Sequence, residues 1–128
     1  MSSQQKLDAR ELLTGAYRDF NARRIDAVLA RMTSEVDWPN GMEGGRVLGH
    51  DEVRAYWTRQ WAMIDPHVEP VKIEHDQAGR LVVEVHQVVR DLQGNLLFDT
   101  VVYHAYRLRD GLIERMDIES VCPPERTE

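Results

Sequence analysis

One stretch narrows the choice of fold more than any other: Leu97-Phe98-Asp99-Thr100-Val101-Val102-Tyr103-His104-Ala105-Tyr106-Arg107-Leu108. It reads as a strand, whose successive side chains go to opposite faces. Phe98, Thr100, Val102, His104, Tyr106 and Leu108 then share one face. Leu97, Asp99, Val101, Tyr103, Ala105 and Arg107 share the other. The first face is apolar apart from a hydroxyl, an imidazole and a phenol. That is the make-up of a cavity wall, mostly apolar with a few placed polar groups.

Around this spine the chain divides into helices first and strands after. Leu12, Leu13, Ala16, Tyr17 and Phe20 recur at helical spacing and predict a helix over residues 4–23. Gly15 inside it marks close packing, because glycine is otherwise unfavourable in a helix. A short helix with Ile25, Val28, Leu29 and Met32 follows, then a brief strand, Val36-Asp37-Trp38, ended by Pro39. Residues 39–49 hold four glycines and predict a mobile loop. A third helix, over 50–64, carries Val53, Tyr56, Trp57, Trp61 and Ile64 on its apolar face. The remaining strands are 67–77, interrupted at Pro70, then 81–91, the spine, and 112–121. In the second, Leu81, Val83, Val85, Gln87 and Val89 share a face. In the last, Leu112, Met116, Ile118 and Ser120 lie opposite Ile113, Arg115, Asp117 and Glu119. Arg109-Asp110-Gly111 is a tight hairpin signal. The order predicts an α+β fold with helices packed on one face of an antiparallel sheet.

The bulk numbers set limits. A chain of 128 residues suits one domain spanning 1–128, with its core over about 8–120. The net charge of -6 argues against nucleic acid, which needs a basic face. No apolar run is long enough to span a membrane. Cys122 is the only cysteine, so no internal disulfide forms, and a cytoplasmic location is expected.

The sequence resembles the NTF2-like superfamily, in its SnoaL-like and ketosteroid-isomerase-like branch. The marks are Ile25-Asp26-Ala27-Val28, Val36-Asp37-Trp38-Pro39, Gly49-His50-Asp51-Glu52-Val53-Arg54-Ala55-Tyr56-Trp57 and Arg109-Asp110-Gly111-Leu112-Ile113. The resemblance implies a conical α+β barrel: a bent antiparallel sheet wrapped around a pocket closed by the N-terminal helices. It does not choose among isomerase, cyclase, dehydratase and binding roles. Set against ketosteroid isomerase, whose oxyanion hole is a worked case of a tyrosine with a protonated aspartate, Tyr17 matches the tyrosine and His104 falls at the aspartate. Trp38 holds the place of the base, with Asp37 one residue earlier.

The candidate catalytic residues are therefore His104, Tyr17 and Asp37. Alternation points Asp37 away from the pocket unless a bulge re-aims it. Trp38, Tyr56, Trp57 and Trp61 are candidates to line an apolar cavity suited to a ring-shaped ligand, or simply core. Val85, Gln87, Thr100 and Val102 join them from the strands, with Met116 and Ile118 from the last one. Asp117 and Glu119 read as outer face. His67, Glu69 and His75 share a strand face, yet no paired Cys–His motif accompanies them, so neither a metal nor another cofactor is expected. Val82, Val88, Val101, Tyr103, Ala105 and Ile113 make the outer face more apolar than water requires, and the resemblance implies a homodimer through it. The expected function is binding of a small apolar carbonyl or ring compound, with proton-transfer chemistry of the isomerase, cyclase or dehydratase kind. The alternatives are a non-catalytic carrier or sensor and a protein-interaction module.

Overall fold

The computed structural model describes residues 3–119, with side chains from residue 9 onward. Ser120 and Cys122 lie outside the described residues. The elements run α1 (Ser3–Asn21), α2 (Ile25–Leu29), β1 (Met32–Pro39), β2 (Arg46–Leu48), α3 (Gly49–Met63), β3 (Ile64–His75), β4 (Leu81–Asp91), β5 (Leu96–Arg109) and β6 (Leu112–Glu119). The strands form one curved, unclosed sheet in the order β2-β1-β6-β5-β4-β3. The expected α+β architecture, helices first and sheet after, is what the chain adopts.

The β3–β4–β5–β6 part is an antiparallel meander. One pairing departs from the expected antiparallel sheet: β1 lies parallel to β6. A hairpin forces its two strands to run antiparallel. No hairpin joins β1 to β6, so their relative direction is free of that constraint. The β5–β6 turn does carry the hairpin signature, with positive φ at Asp110 and Gly111. Pro70 sits where the β3–β4 register shifts, on an edge strand that tolerates proline.

The glycine-rich stretch is more ordered than its composition predicts. Asn40 accepts hydrogen bonds from the backbone N–H groups of Met42 and Glu43 at 3.2 and 2.8 Å. Gly44 and Gly45 adopt positive φ, and the chain returns along β1 as β2. The stretch is thus a hairpin rather than an open loop. Glu52 then reaches back to the Leu48 N–H at 2.7 Å. That carboxylate, in the first turn of α3, satisfies the N–H of the helix's N-cap residue.

Leu13, Ala16 and Tyr17 of α1 and Val53, Tyr56 and Trp57 of α3 meet Val83, Val85, Tyr106 and Met116 of the sheet in the core. Gly15 is explained by Arg31: a Cβ there would lie 2.5 Å from its guanidinium. That guanidinium is held by Asp19, which is 3% exposed. A carboxylate so enclosed needs a charged partner.

Two expectations about faces change. In β6, Arg107 pairs with Arg115 and Leu108 with Ile113, leaving Glu114 as an extra residue. This bulge turns Ile113 into the core beside Met116 rather than onto the outer face. Val82 and Ala105, a cross-strand pair, are also buried within the chain.

Candidate functional site

The meander sets the inner wall by register. Residues paired across strands point the same way, so Val83, His104 and Ile118 form one row, and Leu81, Tyr106 and Met116 the next. The helices close over these rows. Between them lies a cavity of about 120 Å³. Tyr17 and Phe20 of α1, Trp38 of β1 and Tyr56, Trp57 and Gln60 of α3 line it. Val68, Gln87, His104, Tyr106, Met116 and Ile118 complete its sheet side. Gly41 from the β1–β2 turn lies at the rim with Ile118, which is 47% exposed.

At the inner end is a run of three polar groups on otherwise apolar surroundings. The Tyr106 hydroxyl donates to the Tyr17 hydroxyl at 2.8 Å. The Tyr17 hydroxyl in turn lies 2.7 Å from Nδ1 of His104. All three residues are buried. The rings are packed as well as bonded: Tyr17 stacks on His104 and meets Tyr106 edge-on. Burial pushes the imidazole down to about 4, so His104 is neutral at neutral pH. Burial likewise pushes both phenols up, with the neighbouring Tyr106 adding to the effect on Tyr17. A second polar group lies nearer the rim. The Tyr56 hydroxyl accepts from the Gly41 N–H at 3.1 Å and from the Gln60 amide at 3.2 Å. This ties α3 to the β1–β2 turn. Burial raises the Tyr56 phenol too.

The structure brings together Tyr17, Trp38, Tyr56, Trp57, Gln87, His104, Met116 and Ile118 of the expected set. The others fall elsewhere. Asp37 points away from the cavity, as plain alternation requires, and bonds Arg46 and Arg115. Those arginines also hold Asp117, 3.0 Å from each, so both carboxylates belong to an ionic cluster joining β1, β2 and β6. The hydrogen bonds from Arg115 keep the Asp117 carboxyl below its usual range. Trp61 sits behind the wall, against Phe20 and Trp57, with the Arg23 guanidinium over its ring. Val85 and Val102 are a cross-strand pair packed into the core. Thr100 is exposed, because β5 runs on past the cover of the helices. Phe20, Gln60 and above all Tyr106 line the cavity without having been marked as site residues. Alternation does place Tyr106 on the inner face, but which hydroxyl it meets depends on how α1 crosses the sheet. Among the described residues, no group of three or more His, Cys, Asp or Glu is placed to hold a metal ion. No helix there is long and apolar enough to cross a membrane.

This arrangement of helices over a curved sheet defines the NTF2-like, ketosteroid-isomerase-like class of fold. The model of the SnoaL-like domain matches residues 13–116. The chain belongs to that family. Among solved structures, it is similar to TerC co-crystallised with polyporic acid, at 26% identity and TM-score 0.76, covering 89% of this chain and 92% of TerC. It is similar to an NTF2-like protein of unknown function from Burkholderia pseudomallei, at 24% identity and TM-score 0.77, covering 94% and 92% of the two chains. A third is a hypothetical protein with a ketosteroid isomerase-like fold from Catenulispora acidiphila, in complex with trimethylamine. It is 16% identical, with TM-score 0.73, covering 84% and 83% of the two chains. Further neighbours of the same fold are assigned provisionally as polyketide cyclases. No protein among those of curated function matches the chain.

Proposed function

We propose that the chain binds a small apolar carbonyl or ring compound in this cavity and promotes proton transfer on it. His104 is the residue that addresses the ligand and Tyr17 its partner. One observation carries the reading: a buried run of hydrogen-bonded groups ends at the wall of a mostly apolar cavity. A few convergent polar groups in an apolar hollow are the general mark of a ligand site. An engineered apolar cavity of roughly 150 Å³ binds benzene. The cavity here, about 120 Å³, therefore suits a single ring. TerC and the Catenulispora protein were each crystallised with a small molecule, which supports small-molecule binding but not this ligand class. Residues 8–120 would act as one domain, paired with a second copy through the outer sheet face. The lone cysteine suits a reducing cytoplasm.

A second reading, a carrier or sensor, is favoured by a specific observation: no carboxylate lines the cavity among the described residues. Deuterium exchange at the α-carbon of cyclohexanone in D2O, followed by NMR, separates the two. Protein-dependent exchange lost in His104→Ala supports proton transfer. Saturable binding without exchange supports the carrier. If cyclohexanone and a panel of larger ring ketones neither bind nor exchange, both readings fail.

A further inference from the structure

The direction of the hydrogen bonds decides what His104 can do. A neutral imidazole has one N–H and one bare nitrogen. Nδ1 faces the Tyr17 hydroxyl at 2.7 Å, so one of these two groups donates to the other. A phenol, with an ordinary pKa of about 10, is the more acidic partner and a bare imidazole nitrogen the more basic acceptor. Tyr106 points to the same direction. Its hydroxyl has no partner other than Tyr17 among the described residues. Its single proton goes to the Tyr17 oxygen, and the Tyr17 proton is then left for Nδ1. The reverse direction would put three protons on two hydrogen bonds and leave one of the two buried phenol O–H groups with no acceptor among the described residues. A buried donor without an acceptor costs about 1–3 kcal/mol.

The other ring nitrogen then carries the proton. Nε2 has no hydrogen-bond partner among the described residues. The only enclosed side-chain polar atoms lacking a partner there are the Thr33 hydroxyl and the Trp61 indole nitrogen. Nε2 is therefore not sealed in, and the space open to it is the cavity that His104 lines.

We propose that Tyr106 is a positioning residue which, acting through Tyr17, fixes His104 as the Nε2–H tautomer, so that the cavity selects ring compounds presenting a hydrogen-bond acceptor such as a carbonyl. The ligand class rests on the reading of the cavity as a ligand site. The tautomer does not, and the two are separable by experiment. An imidazole held this way is a donor that polarises an acceptor oxygen. It does not offer a lone pair to take a proton, and it does not attract an ammonium group.

Long-range 1H–15N NMR of the whole protein at neutral pH reads the tautomer directly. His104 is one of five histidines and is assigned by its loss in His104→Ala. The expected result is an unprotonated Nδ1 and a protonated Nε2. A protonated Nδ1 would overturn the proposal without any ligand present. Tyr106→Phe is expected to let the Tyr17 hydroxyl turn, so that the Nδ1–H tautomer becomes populated. An unchanged tautomer in folded Tyr106→Phe would remove Tyr106 from the role. Tyr17→Phe, which deletes the donor to Nδ1, gives the same readout if the first variant does not fold. Cyclohexanone is expected to shift the Nε2 resonance and cyclohexylammonium to leave it unmoved. The opposite pattern overturns the ligand class. No shift with either probe, beside the expected tautomer, sinks the ligand class together with the cavity reading and leaves the hydrogen-bond assignment standing.

Discussion

His104 ties the stability of this protein to pH as well as carrying its proposed chemistry. Its folded value of about 4 lies below the ordinary 6.5, and burial is the cause. Between those two values the unfolded chain holds a proton that the folded chain lacks. Stability from this group is therefore complete above pH 6.5, falls as the pH drops towards 4, and changes no further below that. The full difference is roughly 3 kcal/mol at 1.36 kcal/mol per pH unit. Urea denaturation of wild type should show falling stability from pH 7 to pH 5, and His104→Gln a visibly flatter profile over the same range. Parallel profiles would mean that the imidazole stays solvated in the folded state. His104 was legible in the sequence as a wall residue because period-two alternation fixes the face. Its bond to Tyr17 was legible only as a pairing implied by resemblance, and Tyr106 not at all as a partner. Eighty-nine positions separate Tyr17 from Tyr106, and nothing local encodes their meeting.

The elements tell a similar story of local pattern read correctly and non-local pattern missed. The strand β4 falls where periodicity predicts it and the three helices nearly so, except that Met32 and Ile64, read as helical, begin β1 and β3. Alternation also kept Asp37 out of the cavity, and the ionic cluster on the other side shows what holds it there. Asp37→Ala is expected to lower stability by about 1 kcal/mol, as these groups are partly exposed and Arg46 keeps Asp117. It should leave cyclohexanone binding and α-exchange unchanged, measured by the same NMR assay. Loss of exchange in a folded Asp37→Ala protein would restore the carboxylate as a base. The bulge at Glu114 and the β2 strand escaped sequence reading for a common reason. Both are set by the partner strand rather than by the residues that move. Thr100, Val85 and Val102 were placed on the correct face, yet face does not give depth. Depth depends on where the helices stop covering the sheet.

At the scale of the molecule, the outer surface of the sheet is less apolar than its alternation promised, since Val82, Ala105 and Ile113 are buried within the chain. What stays accessible centres on Leu97 and Val101, 47% and 44% exposed, with Val88 and Tyr103 half-buried nearby. A two-fold dimer through this patch is the expected state, seen as twice the chain mass by light scattering at micromolar concentration. Val101→Glu should shift that mass to the monomer while leaving the far-ultraviolet circular dichroism intact. Monomeric wild type would refute the dimer.

The parallel contact between β1 and β6 has a consequence for how the protein is made. It bridges the first strand and the last, with the remainder of the sheet threaded between them in sequence. Contacts so distant along a chain form late and slow the search for the native state. On a ribosome, the helices and β1 emerge well before the strand that carries Met116 and Ile118. Until that final strand arrives, the hollow has no floor, and a nascent chain cannot yet capture a molecule there. On the proposed function, a ligand would meet only a chain whose β6 is already in place.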